Sequence, residues 1–355
     1  MVDIYSMDGH KLYWHIERVN DWLQGKKIVP LSIDMGITQA CNLDCMFCYY
    51  GSSQSKTNMM IPTNALISFV NDCSEIGVKG ISFAGDGEPM IHPGVYSIVS
   101  DGYKAGLDMA ISTNGVYMKH GKLKNLLESL TLIRFTVGAA EKNAYAKVMG
   151  GANEKAYDKV LCNIKKCVEL KYRSKLDITI GMQMIIISDN IDQIIPFALL
   201  GKELGVDYAA IKQCSESAGV KQKKAVVDYK AIESQFKRAE EFSDNNYKVI
   251  IKRKKMYNWK RSYDRCYGCE FLLQISGSGD MYPCGNLYGK EDFLIGNIAY
   301  ESIKDIVCGE RYNKIMEKVR TEIDVHKDCG DRCRVNEINE FLWMLKKPPK
   351  HINFI

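Results

Sequence analysis

The spacing of hydrophobic positions changes period several times along the chain, and each change predicts an element. Apolar runs of strand length occur at Pro30–Thr38 (PLSIDMGIT), Val78–Ala84, Leu107–Ile111, Leu132–Val137 (LIRFTV), Leu176–Ile187 (LDITIGMQMIII) and Tyr208–Lys212 (YAAIK). Between them, Thr63–Gly77 (TNALISFVNDCSEIG), Ala156–Leu170 and Asn190–Leu204 carry apolar residues at helical spacing, and the first closes on a glycine as helix C-termini do. This β–α alternation is the signature of a parallel sheet. Further on, Lys221–Asn246 reads as a helix, and Leu272–Ser276 and Met281–Pro283 read as hairpin arms turning at Gly277-Ser278-Gly279-Asp280. The start, MVDIYSMDGHKLYWHIERVNDW, lacks the apolar stretch of a signal peptide. The longest apolar runs, Met184–Ile187 and Ile194–Leu200, fall well short of the about 20 residues of a membrane span.

Composition changes this picture at one residue type. The 355 residues are 46% hydrophobic and 26% charged, with 48 basic and 43 acidic side chains, which suits a large α/β domain with a smaller companion. Eight prolines and no low-complexity tract argue against a long disordered region. There are, however, 13 cysteines. An unexported, cytoplasmic chain keeps its thiols reduced, so they serve more often as metal ligands or reactive groups than as disulfides. Three sets emerge by position: Cys41, Cys45 and Cys48 in ACNLDCMFCYYG; Cys266, Cys269, Cys284, Cys329 and Cys333 in the last third; and the scattered Cys73, Cys162, Cys167, Cys214 and Cys308. Cys73, Cys162 and Cys167 lie in helical patterns and read as small core residues. Two separate metal sites are expected.

The first set has the spacing C-x3-C-x2-C. Thiolates so close in sequence can wrap one soft metal centre, zinc or an iron–sulfur cluster. A closed zinc site wants four ligands, and the nearest downstream candidate is only Cys73. On a four-iron cluster, three thiolates leave one iron open to bind and activate another molecule, while Phe47 shields a face of the cluster. This run, following a predicted strand, resembles the signature of the radical S-adenosylmethionine (SAM) enzymes. The resemblance implies a [4Fe–4S] cluster whose open iron chelates SAM. One-electron reduction by a flavodoxin- or ferredoxin-type donor then yields a 5′-deoxyadenosyl radical that abstracts hydrogen from substrate.

Further motifs extend the likeness. Gly85-Asp86-Gly87-Glu88-Pro89 resembles the family's GGEP motif, with Asp86 standing where a glycine is usual. The resemblance assigns SAM contacts to Gly85, Gly87, Glu88 and Pro89 and to Ser112 and Asn114 of the STNG run; Gln183, a polar residue in the apolar strand five, must find a hydrogen-bond partner if buried, and SAM is one candidate. Plain turns, or barrel backbone in the case of Gln183, are the alternatives. Six β/α units between about residue 31 and residue 213 then make an open (β/α)6 partial TIM barrel, with its active site at the C-terminal strand ends. Lys212, Gln213, Cys214 and Glu216 would lie at that mouth. Cys214 is a candidate hydrogen donor to a substrate radical, against the blander reading of a small residue ending a strand.

The C-terminal cysteines, beginning with CEFLLQISGSGDMYPCG, resemble a SPASM or twitch domain carrying auxiliary [4Fe–4S] clusters. Five candidates, or six with Cys308, fit one auxiliary cluster better than two; tetrahedral zinc is the alternative. The domains expected are a segment over 1–30, a radical SAM core over 31–220, and a helical linker with the SPASM/twitch-like domain over 221–355. A basic stretch, Lys252-Arg253-Lys254-Lys255, continues through Lys260, Arg261 and Arg265 with Tyr257, Trp259 and Tyr263 interleaved. A net charge of +5 is too modest to favour nucleic acid; a solvated strand or loop is the plainer reading of the stretch, and a phosphorylated or nucleotide-linked small substrate is the functional alternative.

Forty residues precede Cys41, so the leader-peptide-binding domain that many peptide-modifying members of the family carry near the N-terminus is not expected, although short-substrate maturases without one exist. HKLYWHIERVNDWL and CRVNEINEFLWMLKKPPKHINFI resemble a radical SAM subgroup associated with bacterial polysaccharide and sugar metabolism. The reaction expected is oxidation, epimerisation or rearrangement of a small polar molecule such as a carbohydrate derivative, with no membrane partner. A radical SAM peptide maturase is the alternative, and a non-catalytic iron–sulfur or zinc protein binding nucleic acid is the third reading.

Overall fold

The computed structural model describes residues 11–50, 57–150, 154–215, 227–257, 260–330 and 333–354. A short helix α1 (Ile16–Leu23) leads into β1 (Ser32–Met35), and β/α units follow in the predicted order. They are α2 (Thr63–Ile76), β2 (Gly80–Phe83), α3 (Val95–Lys104), β3 (Asp108–Thr113), α4 (Leu123–Glu128), β4 (Leu132–Thr136), α5 (Lys142–Val148), α6 (Glu154–Ser174), β5 (Thr179–Ile186), α7 (Ile194–Leu204) and β6 (Tyr208–Gln213). Local chemistry sets the boundaries: α2 ends at Gly77, whose φ of 93° is the left-handed cap that a side chain disfavours. Asp108 N–H then bonds the Lys79 carbonyl as the next strand begins.

Strands β1 to β6 pair in parallel, each with the next. Two further strands extend this sheet. At one edge β7 (Lys248–Ile251) pairs parallel with β6, and at the other β8 (Leu272–Ile275) pairs parallel with β1. The order β10-β9-β8-β1-β2-β3-β4-β5-β6-β7 leaves the barrel open, because β7 and β8 are not neighbours. β9 (Asp280–Tyr282) and the two-residue β10 (Gly296–Asn297) add antiparallel to β8, so the C-terminal hairpin continues the barrel sheet itself. Apolar outer faces of the strands, such as Ile33, Met35, Ile81, Phe83, Ile111, Ile133 and Phe135, pack beneath the helices in one continuous core.

Two expectations change. Within Lys221–Asn246 the described helix is only α8 (Glu233–Glu240); residues 216–226 lie outside the described set. Oδ1 of Asp244 then accepts the N–H groups of Asn246 and Tyr247, turning the chain into β7. Cys162 is exposed rather than core, because the buried stripe of α6 runs through Val160, Asn163, Ile164 and Cys167 and bypasses it. Beyond α9 (Lys254–Tyr257), helices α10 (Ile303–Cys308), α11 (Glu310–Thr321) and α12 (Asn336–Lys346) complete the C-terminal region. Among the described residues no helix is long and apolar enough to cross a membrane.

Candidate active site at the barrel mouth

Alternation along the strands turns one side chain in two toward the barrel lumen. Deep in the lumen Leu132, Tyr208 and Ala210 cluster, joined by Ala110 and Ile250. Gly181 is required there, since a Cβ would fall 2.2 Å from the Tyr208 ring. Two residues further along the strands the lumen becomes polar: Asp34, Ser82, Arg134 and Lys212 line a cavity of about 270 Å³. It is shared with Tyr49, Tyr50, Gln213, Lys255, Gln274 and four C-terminal thiols, Cys266, Cys284, Cys329 and Cys333.

The loop bearing Cys41, Cys45 and Cys48 leaves β1 and is tied to the ends of three neighbouring units. The Glu88 N–H donates to the Ala40 carbonyl, and Nδ2 of Asn114 donates to Oδ1 of Asn42 over 2.8 Å. Asp44 and Met46 N–H groups donate to Gly150 and Val148 carbonyls. Cys41 is exposed and Cys45 and Cys48 half-buried. Burial pushes the Cys45 thiol well up, and the neighbouring Cys48 and Cys41 add to the shift. A cationic centre relieves such crowding by holding all three as thiolates, so this donor set fits an iron–sulfur cluster. Phe47 is buried, its ring against the Gly138 backbone. Cys214 is fully buried beneath it, Sγ 3.9 Å from the Phe47 carbonyl, and is not among the residues lining the cavity.

The Gly85–Pro89 turn serves the protein's own architecture as well as its mouth. The Glu88 carboxylate accepts from the Asn114 and Met90 N–H groups and from the Thr113 hydroxyl; burial raises its pKa against those bonds. Gly87 has φ 78°, and a Cβ there would meet the Thr38 carbonyl at 2.1 Å. Pro89 opens a short 3₁₀ turn. Asp86, the departure from the usual motif, accepts the Gly277 N–H of the β8–β9 hairpin on Oδ1 and the Gln39 amide on Oδ2. Ser112 accepts from Nη2 of Arg134 over 2.8 Å, and Gln183 donates to the Thr136 hydroxyl over 3.3 Å. Both are thus near the mouth with protein partners.

The five C-terminal thiols are brought together as neighbours. Cys266 is drawn below the ordinary thiol range by hydrogen bonds from Cys269 and from Asn339, whose Nδ2 lies 3.5 Å away. Burial pushes Cys284 well up and Cys333 up to about 11. Cys269 lies behind the cavity, against Met316. This set likewise offers an iron–sulfur centre several soft donors. Among the described residues no three His, Cys, Asp or Glu side chains converge closely enough for a single metal ion. Cys308 is exposed at the end of α10.

Sequence patterns missed Arg134 and Asp34, because single charges in apolar runs carry no motif; their inward strand position was the available signal. Arg334 donates from Nε to Oδ2 of Asp34 over 2.7 Å, joining the C-terminal region to β1. Much of the basic stretch is paired within the protein: Arg253 with Glu233 and Glu240, and the exposed Lys254 with Glu337 and Glu340, while Lys255 lines the cavity. Glu216 and Trp259 lie outside the described residues.

Residues 35–198 match the family model of the radical SAM superfamily, and residues 266–334 match that of SPASM, an iron–sulfur cluster-binding domain. The chain is 22% identical over 321 residues to the AdoMet-dependent heme synthase of Methanosarcina barkeri, covering 85% of this chain and 88% of that protein. To the GTP 3′,8-cyclase of Campylobacter fetus it is 24% identical over 266 residues, 70% of this chain and 78% of that one. Its fold is similar to Streptococcus suis SuiB bound to S-adenosylmethionine, with a TM-score of 0.68 at 17% identity over 98% of this chain and 82% of SuiB. It is also similar to anSMEcpe with bound AdoMet and Cp18Cys peptide, with a TM-score of 0.60 at 19% identity over 87% and 88% of the two chains.

Proposed function

Since the chain belongs to the radical SAM superfamily and carries a SPASM iron–sulfur domain, we propose that this enzyme abstracts a hydrogen atom from a polar substrate held between its barrel mouth and its C-terminal thiols. The observation that carries the reading is the shared cavity, walled on one side by Asp34, Ser82 and Arg134 and on the other by Cys266, Cys284, Cys329 and Cys333. Cys41, Cys45 and Cys48 would hold the SAM-binding [4Fe–4S] cluster, and the C-terminal cysteines would hold one auxiliary [4Fe–4S] cluster. When bound, SAM and its cluster supply a 5′-deoxyadenosyl radical through one-electron reductive cleavage.

The chain's own residues do the positioning. Backbone of Gly85, Gly87 and Pro89, with Asn114 and Gln183 above the lumen, orients SAM. The Asn114–Asn42 bond keeps the cysteine loop in register with that turn. Phe47 excludes water from the cysteine loop. Asp34 and Arg334 close the cavity wall, so that a radical formed inside is shielded from solvent. An electron carrier of flavodoxin or ferredoxin type supplies the reducing equivalent.

A small polar molecule, carbohydrate derivatives included, suits a cavity of about 270 Å³. A peptide side chain is the second reading, favoured by the fold shared with SuiB and anSMEcpe, both solved with peptides. Anaerobically reconstituted protein given dithionite and SAM is expected to release 5′-deoxyadenosine, and Cys41→Ala to abolish it. Deuterium passing from a labelled candidate substrate into 5′-deoxyadenosine identifies the substrate and position; no SAM cleavage by the wild type overturns the reading.

A further inference from the structure

We propose that the substrate carries an oxyanion, a carboxylate or a phosphate, which seats on Arg134 in the cavity while an adjacent hydroxyl or N–H group donates to Gln213. This deepens the preceding reading and rests on the cavity being the substrate site. Arg134 sits on β4, directly above the apolar floor begun by Leu132. Its Nη2 is fixed by Ser112 at 2.8 Å, but its Nε is buried with no hydrogen-bond partner among the described residues. Leaving such a donor unmade is expensive inside a protein, more so on a charged group. A ligand that completes it recovers that loss, and the Nε–Nη edge of a guanidinium matches two oxygens of a carboxylate or phosphate.

Gln213 makes the complementary case. It is only 4% exposed, lines the same cavity, and its Oε1 is buried with no hydrogen-bond partner among the described residues. An amide oxygen accepts only, so its missing partner is a donor. The cavity therefore presents an unused cationic donor and an unused acceptor together. Its wall supports the sign of the ligand. Among the described side chains that line it outside the cysteine group, Arg134, Lys212, Lys255 and Arg334 are cationic, and Asp34, the one carboxylate, already receives Arg334. Field lines in such a cleft favour an anion.

The test is equilibrium binding to the anaerobically reconstituted holoenzyme without reductant, so that its outcome is independent of SAM cleavage. Succinate is compared with succinamide, and glycerol 3-phosphate with glycerol; whichever anion wins distinguishes carboxylate from phosphate. At least one anion is expected to bind roughly tenfold or more tightly than its neutral counterpart. Arg134→Gln is expected to erase that preference and Arg134→Lys to retain part of it, the lysine variant also guarding against a folding defect. Gln213→Glu should weaken the anion by placing a carboxylate beside it. Equal binding of neutral probes, no binding of either anion, or unchanged preference in Arg134→Gln overturns the proposal. So does a fall in SAM affinity in Arg134→Gln with the anion preference intact, which would give Arg134 to the SAM carboxylate.

Discussion

Asp86 and Gly277, 191 residues apart, meet through a hydrogen bond of 2.6 Å from the Gly277 N–H to the buried Asp86 carboxylate. The contact fixes the C-terminal hairpin against the turn after β2, and so sets the distance between the two groups of cysteines. It also gives a structural reason for aspartate at this place in the turn: Oδ1 reaches a backbone donor that a glycine would leave unmet.

Asp86 should make stability depend on pH. Burial pushes its carboxyl from 3.8 up to about 6, against hydrogen bonds that favour the charge. The folded state thus holds the proton more tightly than the unfolded chain, and ionised Asp86 destabilises the fold at neutral pH. That penalty fades as pH falls through about 6. Relative to Asp86→Asn, the wild type should gain about 1 kcal/mol between pH of about 7 and 5, read from denaturant midpoints. Asp86→Ala, which strands the Gly277 N–H, should lose about 1–3 kcal/mol throughout.

Gly277 tolerates no side chain, for a different reason. A Cβ would lie 2.4 Å from the Thr38 carbonyl oxygen, and backbone there cannot give way. Gly277→Ala is expected to destabilise by about 3 kcal/mol, with loss of auxiliary iron. Gly121→Ala meets nothing within 4 Å and should leave the thermal midpoint unchanged, a control for the same assay.

Iron content should separate the two cysteine groups. The reconstituted protein is expected to hold about eight irons, and Cys45→Ala about four with no SAM cleavage. Cys284→Ala should likewise fall to about four while keeping the SAM-binding cluster's spectrum. Cys308→Ala, exposed and remote from the group, should retain the full complement.

Removing Arg334 leaves Asp34 a half-shielded charge without this partner. Arg334→Met is expected to lose about 1–2 kcal/mol and to raise hydrogen exchange in the segment leading into α12. The double variant with Asp34→Asn should recover part of that loss; identical exchange in wild type and Arg334→Met would show that the pair does not hold this wall.

Much of the barrel was legible from Ile33, Ile81, Ile111, Ile133 and their neighbours, because burial on an outer sheet face and helical spacing between strands are local patterns. β7, only four residues long, falls between the helical reading of Lys221–Asn246 and the basic stretch from Lys252, and only the Asp244 turn reveals why the chain reverses there. Cys162 was misjudged as core because one missed step in a 3.6-residue period turns a side chain to solvent.

By itself, the sequence determined the two cysteine groups, the β/α order and the turn chemistry of Gly85–Pro89, since each depends on residues close together in the chain. Tertiary structure alone decided which distant residues share the cavity. Arg134, Asp34, Gln213 and Arg334 come from four separate segments, and their meeting depends on strand register, inward alternation and the pairing of β8 beside β1. None of those long-range distances leaves a local signal for the sequence to carry.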